Sequence, residues 1–380
     1  MKDHVASGAP IPYRARPYRR VAVVGAGSWG TALAVTLARA GCETTIYGRD
    51  PAVIDEINTQ ATTEGFLPGV PLPKNLTGAK DMAIALERAE AILIVVPSSS
   101  VRSVARQVAA HAPKGVPIAV CAKGIEPETG LLMTQVAEEE LGDHPMGCVS
   151  GPTFALETAL GHPTAATVAF PFSYEDRLKL DESPAVRLAV SLSTESFRAY
   201  VSDDVVGVEV GGAVKNIIAI ACGLMTGAGF AENTRAALIT RGLDEMKVLA
   251  EALGGRRETV TGLSGIGDLA LTCSSPTSRN MALGQQLGQG INRADCFDGK
   301  PVVVEGELNA KSVTDLARRL NLVLPICETV RAILHSDADL GQAFAHLWAR
   351  PIEAEPRAMD VSFDHPATDQ DIATLAERIS

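Results

Sequence analysis

The stretch RRVAVVGAGSWGTALAVTLARAG, residues 19–41, constrains the fold more than any other part of the chain. An apolar β-branched run enters the glycine triplet Gly25, Gly27 and Gly30, and a helical pattern leaves it. A GxGxxG spacing alone is a weak signal. Between a strand and a helix, at the start of a βαβ unit, it is a dinucleotide-binding fingerprint. Gly25 permits the tight turn, Gly27 lets the backbone approach a pyrophosphate, and Gly30 allows close helix packing. The free N–H groups and the dipole of the helix start then attract phosphate. A glycine turn without a ligand is the plain alternative, and its context disfavours it.

The same alternation continues downstream. RRVAVVGAG, ETTIYG, AILIVVP, VPIAVCAK and HPMGCVSG read as buried parallel strands, each followed by a helical segment, which implies a sheet covered on both faces. After about Asp203 the texture changes to long Ala/Leu/Ile/Gly helices such as NTRAALITRGLDEMKVLAEALGG. The expected class is α/β, with an N-terminal Rossmann-type parallel-sheet domain followed by an all-α C-terminal domain. The expected division is a basic flexible arm at 1–19, a dinucleotide domain at 20–205, a helical substrate domain at 206–350, and an acidic tail with one short helix at 351–380.

Composition excludes several classes of function. A net charge of −11 and a pI near 5.2 lack the basic field that nucleic acid or anionic membranes require. Seven scattered cysteines with no CxxC pair suit a reducing cytoplasm and argue against structural zinc, so no metal is expected. The first twenty residues carry Lys2, Arg14, Arg16, Arg19 and Arg20 but no secretory apolar run. The most apolar segment, after Lys215, is expected to be broken by Gly223, Gly227 and Gly229 well short of the roughly 20 residues that span a membrane.

Candidate chemistry collects at strand ends and helix starts. At IYGRD, Arg49 suits a 2′-phosphate and leans toward NADP, while Asp50 would favour NAD or simply cap the next helix. Lys123 in VCAKGIE and Thr153 in SGPTFA follow strands at the edge where open α/β sheets bind ligands. Asp268 follows a Gly-rich turn. Ser278, Arg279 and Asn280 open a helix, a setting that suits a small phosphate; a cap explains Ser278 but not Arg279, whose charge opposes the dipole. Lys215 is the only charged residue between Glu209 and Glu232. Alone it reads as a snorkelling lysine. Beside the other groups it reads as a proton donor and acceptor, because burial favours the neutral amine.

Through GAGSWGTALA, CAKGIE, SGPTFA, VEVGGAVKNIIAIACG, ITRGLDEM, GIGDLALTC, TSRN and VVVEG, in that order over about residues 20–350, the chain resembles bacterial-type NAD(P)-dependent glycerol-3-phosphate dehydrogenases. The resemblance implies reversible hydride transfer between NAD(P)H and dihydroxyacetone phosphate to give sn-glycerol 3-phosphate, a glycerophospholipid precursor. It implies Lys215 as proton acceptor when the alcohol is oxidised. Gly25, Gly27, Ser28, Trp29, Gly30, Arg49, Lys123, Ala155, Arg279, Val303 and Glu305 match cofactor positions. Lys123, Gly151, Thr153, Lys215, Asp268, Ser278, Arg279 and Asn280 match substrate positions. Asp268 is expected to orient Lys215 or the substrate hydroxyls, and the sign of any shift in the lysine pKa stays open.

Two other readings compete. A related hydroxyacid dehydrogenase would share the two-domain plan, but the Ser278–Asn280 set disfavours substrates without phosphate. A non-catalytic NAD(P)-sensing module would not need Lys215, Asp268 and Arg279 together. Only analogy suggests a homodimer through an apolar face of the helical half.

Overall fold

The computed structural model of the chain describes residues 15–355 and 361–379. Residues 1–14 of the expected arm, and 356–360 and 380 of the expected tail, lie outside the described residues. Next to them Tyr18 is buried, with Arg187 stacked 4.0 Å above its ring.

Eight strands form one sheet: β1 (Arg20–Val24), β2 (Glu43–Tyr47), β3 (Leu76–Ala79), β4 (Ala91–Ile94), β5 (Ile118–Val120), β6 (Met146–Ser150), β7 (Thr164–Ala169) and β8 (Phe197–Ser202). Their order is β3-β2-β1-β4-β5-β6-β7-β8. Neighbours run parallel except β6 and β7, which are antiparallel. Along β1, Val21 and Val23 join one buried cluster while Ala22 and Val24 join another on the opposite face. Both faces are dry, so the strand reads as an unbroken apolar run. Chain order reverses between β1 and β4, opening a crevice at their C-terminal ends.

The pattern of apolar runs anticipated β1, β2, β4, β5 and β6 and did not reveal the other three. Strand β3 is the short LTGA, β7 opens on Thr164, and β8 is an edge strand with exposed Tyr200 and Val201. None carries the continuous β-branched run that marks a strand covered on both faces.

The helical half is built around one helix, Val205–Gly227, buried at every residue from Gly207 to Met225. Here the expectation of a segment broken by glycine is corrected. The helix has 23 residues, is long and apolar enough to cross a membrane, and has 89% of that stretch buried inside the fold. Gly223 and Gly227 lie within it because a second helix, Arg279–Gly288, runs alongside in the same direction at backbone contact. A Cβ on Gly223 would lie 2.3 Å from the carbonyl oxygen of Met281, and one on Gly284 would lie 2.2 Å from that of Ile220. This packing offsets the roughly 1 kcal/mol that each helical glycine costs. It also carries the start of the second helix up to Lys215.

Helices Glu232–Ala252, Glu305–Arg319, Pro325–His335 and Leu340–Trp348 pack around this pair. Beyond Arg350 come a small hairpin, Ile352–Glu353 with Ser362–Phe363, and a last helix, Asp369–Ile379, that buries Ala376 and Ile379.

Candidate active site

A cleft of about 670 Å³ runs between the crevice of the sheet and the helical half. Its floor on the sheet side is the glycine turn. Gly25 has φ +123°, and a Cβ there would lie 2.1 Å from the carbonyl oxygen of Val95. On Gly30 it would meet the carbonyl oxygen of Gly25 at 1.8 Å, whereas on Gly27 it would meet nothing within 4 Å. Two glycines thus close the turn and the third leaves room above it. The helix Ser28–Arg39 starts here with no side chain capping its first N–H groups, so they are available to an anion. The Ser28 hydroxyl donates to the carbonyl of Phe66 at 3.0 Å, which brings Phe66 and Leu67 to the cleft edge.

Across the cleft, three ionisable groups meet. Lys215 projects from the Val205–Gly227 helix and donates to Oδ1 of Asp268 at 2.7 Å and to Oγ1 of Thr272 at 2.8 Å. Lys123, just past β5, donates to Oδ2 of the same carboxylate at 2.6 Å and to the carbonyl of Gly151 at 3.4 Å. The Thr272 hydroxyl donates in turn to the carbonyl of Asp268 at 2.6 Å, one helical turn back. Lys215 and Asp268 are 7% and 2% exposed, so their charges cannot rely on water. Both carboxylate oxygens and both ammoniums are paired, which is what makes such burial tolerable.

The electrostatics follow from the geometry. Burial lowers the Lys215 pKa, and the Lys123 ammonium adds to the lowering while Asp268 opposes it; the net result lies below the ordinary lysine value. Burial pushes Asp268 upward, but the two lysines outweigh it and hold the carboxyl below its usual range. An ionised Asp268 therefore faces a lysine brought closer to the pH at which it can both give and take a proton.

A polar chain leads from this array to the second helix. Asn280 donates to Oδ1 of Asn216 at 2.9 Å and accepts from the N–H of Gly306 at 2.9 Å. Asn216 lies 3.5 Å from Glu305. Glu305 is pushed up by burial, against the pull of Lys123, Arg279 and Lys215. The Ser278 hydroxyl is used as the helix cap, accepting from the N–H of Met281 at 3.3 Å. Arg279 is exposed at the cleft with no ion-pair partner among the described residues.

Of the residues singled out from sequence, the cleft collects Gly27, Ser28, Trp29, Gly30, Lys123, Thr153, Ala155, Lys215, Asp268, Ser278, Arg279, Asn280, Val303 and Glu305. Gly25 lies beneath the turn, and Gly151 reaches the array only through its carbonyl. Arg49 does not line the cleft. It stands exposed past the end of β2, one strand over from the turn, while Asp50 caps the next helix by accepting from the N–H of Ala52 at 2.9 Å. Asn216 and Thr272 also line the cleft and were not anticipated. Thr272 stands four residues after Asp268, a helical spacing from which it could have been found. Asn216 follows Lys215 directly, and the apolar setting gave it no separate signal.

Fold and cleft define a two-domain oxidoreductase of the nicotinamide-dinucleotide class. The family described as NAD-dependent glycerol-3-phosphate dehydrogenase matches with its N-terminal part over residues 20–174 and its C-terminal part over residues 204–345. The chain belongs to this family. It is 44% identical over 335 residues to the glycerol-3-phosphate dehydrogenase (NAD(P)+) of Rhodospirillum rubrum, covering 88% of this chain and 93% of that protein. The enzyme of the same name from Parvibaculum lavamentivorans is 43% identical, over 89% of this chain and 98% of the relative. The crystal structure of glycerol-3-phosphate dehydrogenase from Coxiella burnetii matches with a TM-score of 0.79 at 38% identity, over 87% of this chain and 99% of that one.

Proposed function

We propose that this chain reduces dihydroxyacetone phosphate to sn-glycerol 3-phosphate with NAD(P)H, reversibly, and so supplies a glycerophospholipid precursor. The observation that carries the reading is the buried Lys215–Asp268–Lys123 array facing the Gly25–Gly30 turn across one cleft. Family membership and the relatives' names support it.

When bound, the dinucleotide supplies or takes up the hydride at C2 of the substrate. The cleft fits it: open space above Gly27 and free N–H groups at the helix start suit the pyrophosphate. Ser28, Trp29, Ala155, Val303 and Glu305 would line its path, with Arg279 reaching it as well as the substrate. As the ketone is reduced, the Lys215 ammonium gives its proton to the developing alkoxide. In the reverse direction the neutral amine takes the hydroxyl proton. Acid/base help of this kind is worth about 10² to 10⁴-fold. Asp268 aims Lys215 and holds Lys123 beside the substrate oxygen. Arg279 and Asn280, with the Ser278-capped helix start, hold the phosphate, so binding energy remote from C2 fixes its orientation.

NADP is the favoured cofactor in this reading. Asp50, the carboxylate that could read a 2′-hydroxyl, is engaged as a helix cap, which leaves exposed Arg49 for a 2′-phosphate. A cytoplasmic homodimer divided at about residue 205 completes the proposal. The test is to follow NADPH and NADH oxidation with dihydroxyacetone phosphate and with unphosphorylated dihydroxyacetone. Turnover confined to the phosphorylated ketone supports the reading, and equal turnover of both would sink the phosphate site.

A further inference from the structure

Asn309, on the helix Glu305–Arg319, is fully buried and does not line the cleft. Its amide nitrogen donates to two backbone carbonyls, that of Lys123 at 3.3 Å and that of Ala213 at 3.1 Å. The first belongs to the loop after β5 in the sheet half. The second lies on the central helix, two residues before Lys215. One side chain thus ties together the two segments that carry the lysines.

We propose that Asn309 is a positioning residue, which sets the separation of Lys123 and Lys215 across Asp268 by holding both segments through a single amide. The proposal rests on the acid/base reading of Lys215 given above.

Three further observations fit it. The Asn309 carbonyl oxygen is buried without a hydrogen-bond partner, a costly state that a hydrocarbon of equal size would avoid. What the position uses is therefore the pair of donors. Gly124, next to Lys123, lets the amide approach: a Cβ there would lie 3.1 Å from Asn309 Oδ1 and 2.8 Å from Ser98 Cβ. On the other side Gly212 lets the Lys123 side chain pack close to the central helix, since a Cβ on it would lie 3.1 Å from Lys123 Cγ. The two halves meet here at contact distances that leave Lys123 little freedom.

A consequence separates this role from simple packing. Lys215 is faced by Asp268, Lys123, Glu305 and the Cys273 thiol. Of these, the Lys123 ammonium works to lower its pKa. If Lys123 drifts, that like charge recedes and Lys215 holds its proton to higher pH.

The experiment is the pH dependence of glycerol 3-phosphate oxidation by the full chain and its Asn309→Leu variant, which keeps the branched shape and removes the donors. The acid limb of the variant should move to higher pH by about half to one unit, with kcat lower by roughly tenfold from lost orientation. An unmoved limb overturns the proposal, whatever happens to kcat. Should Asn309→Leu fail to accumulate as folded protein, Gly124→Ala, which presses on the same amide, should move the limb in the same direction; no movement there also overturns it. The parent chain separates the two failures. If the parent does not oxidise glycerol 3-phosphate, the functional reading falls and takes the proposal with it. If the parent is active and the variants share its acid limb, only the role of Asn309 is lost.

Discussion

Lys215 and Asp268 form a buried ion pair with Nζ 2.7 Å from Oδ1, while the other oxygen of that carboxylate receives Lys123 at 2.6 Å. The carboxylate is shared, so neither lysine is neutralised by a partner of its own. On the proposed reading, the alkoxide of the reaction would develop beside this lysine pair. The sharing also couples the Lys215 proton to the state of Asp268.

That coupling has a sign. Asp268 is the group that raises the Lys215 pKa against burial. The Asp268→Asn variant should therefore show the acid limb of glycerol 3-phosphate oxidation moved to lower pH, with turnover reduced by roughly 10²-fold through lost aim. A pH–rate profile checks this. A limb that stays in place or moves upward would contradict the shared-carboxylate account.

Arg279→Ala tests the phosphate cradle. Loss of a charged hydrogen bond of about 2–3 kcal/mol corresponds to a KM for dihydroxyacetone phosphate raised by roughly 30- to 150-fold. Steady-state kinetics with saturating cofactor measure it. An unchanged KM removes Arg279 from the phosphate site.

How much of this was legible in the sequence depends on where each signal lay. The glycine turn and strands β1, β4, β5 and β6 could be read because burial on both faces writes a continuous apolar run, and β2 through its β-branched Thr44, Thr45 and Ile46. Strands β3, β7 and β8 could not, since short or half-exposed strands carry mixed patterns. Lys215 stood out as an isolated charge, but its pairing with both Asp268 and Lys123 joins residues 53 and 145 positions from the aspartate. No local pattern encodes that separation. The glycines of the central helix misled for the same reason: Gly223 looked like a breaker, and only the neighbouring helix explains it.

The same helix offers a stability test away from the cleft. Glu209 is buried and accepts from the N–H of Thr134 at 2.9 Å and from the Thr134 hydroxyl. Burial outweighs these bonds and pushes its carboxyl up to about 7. A folded-state pKa raised above the unfolded value contributes stability that is complete below about pH 4.5 and is lost as pH rises through 7. The whole effect is of order 3 kcal/mol. Glu209→Gln removes the titration, so thermal unfolding of the variant relative to the parent should gain between pH 5 and pH 8. A stability difference that is flat with pH would show that Glu209 does not titrate there.

If Lys215 moves the proton in ketone reduction, the measurement that bears on it most directly is kcat for dihydroxyacetone phosphate in Lys215→Ala, alongside the dissociation constant of NADPH. The variant's kcat should fall by about 10² to 10⁴-fold with cofactor affinity nearly unchanged. A variant that turns over at close to the parent rate would contradict that role for Lys215.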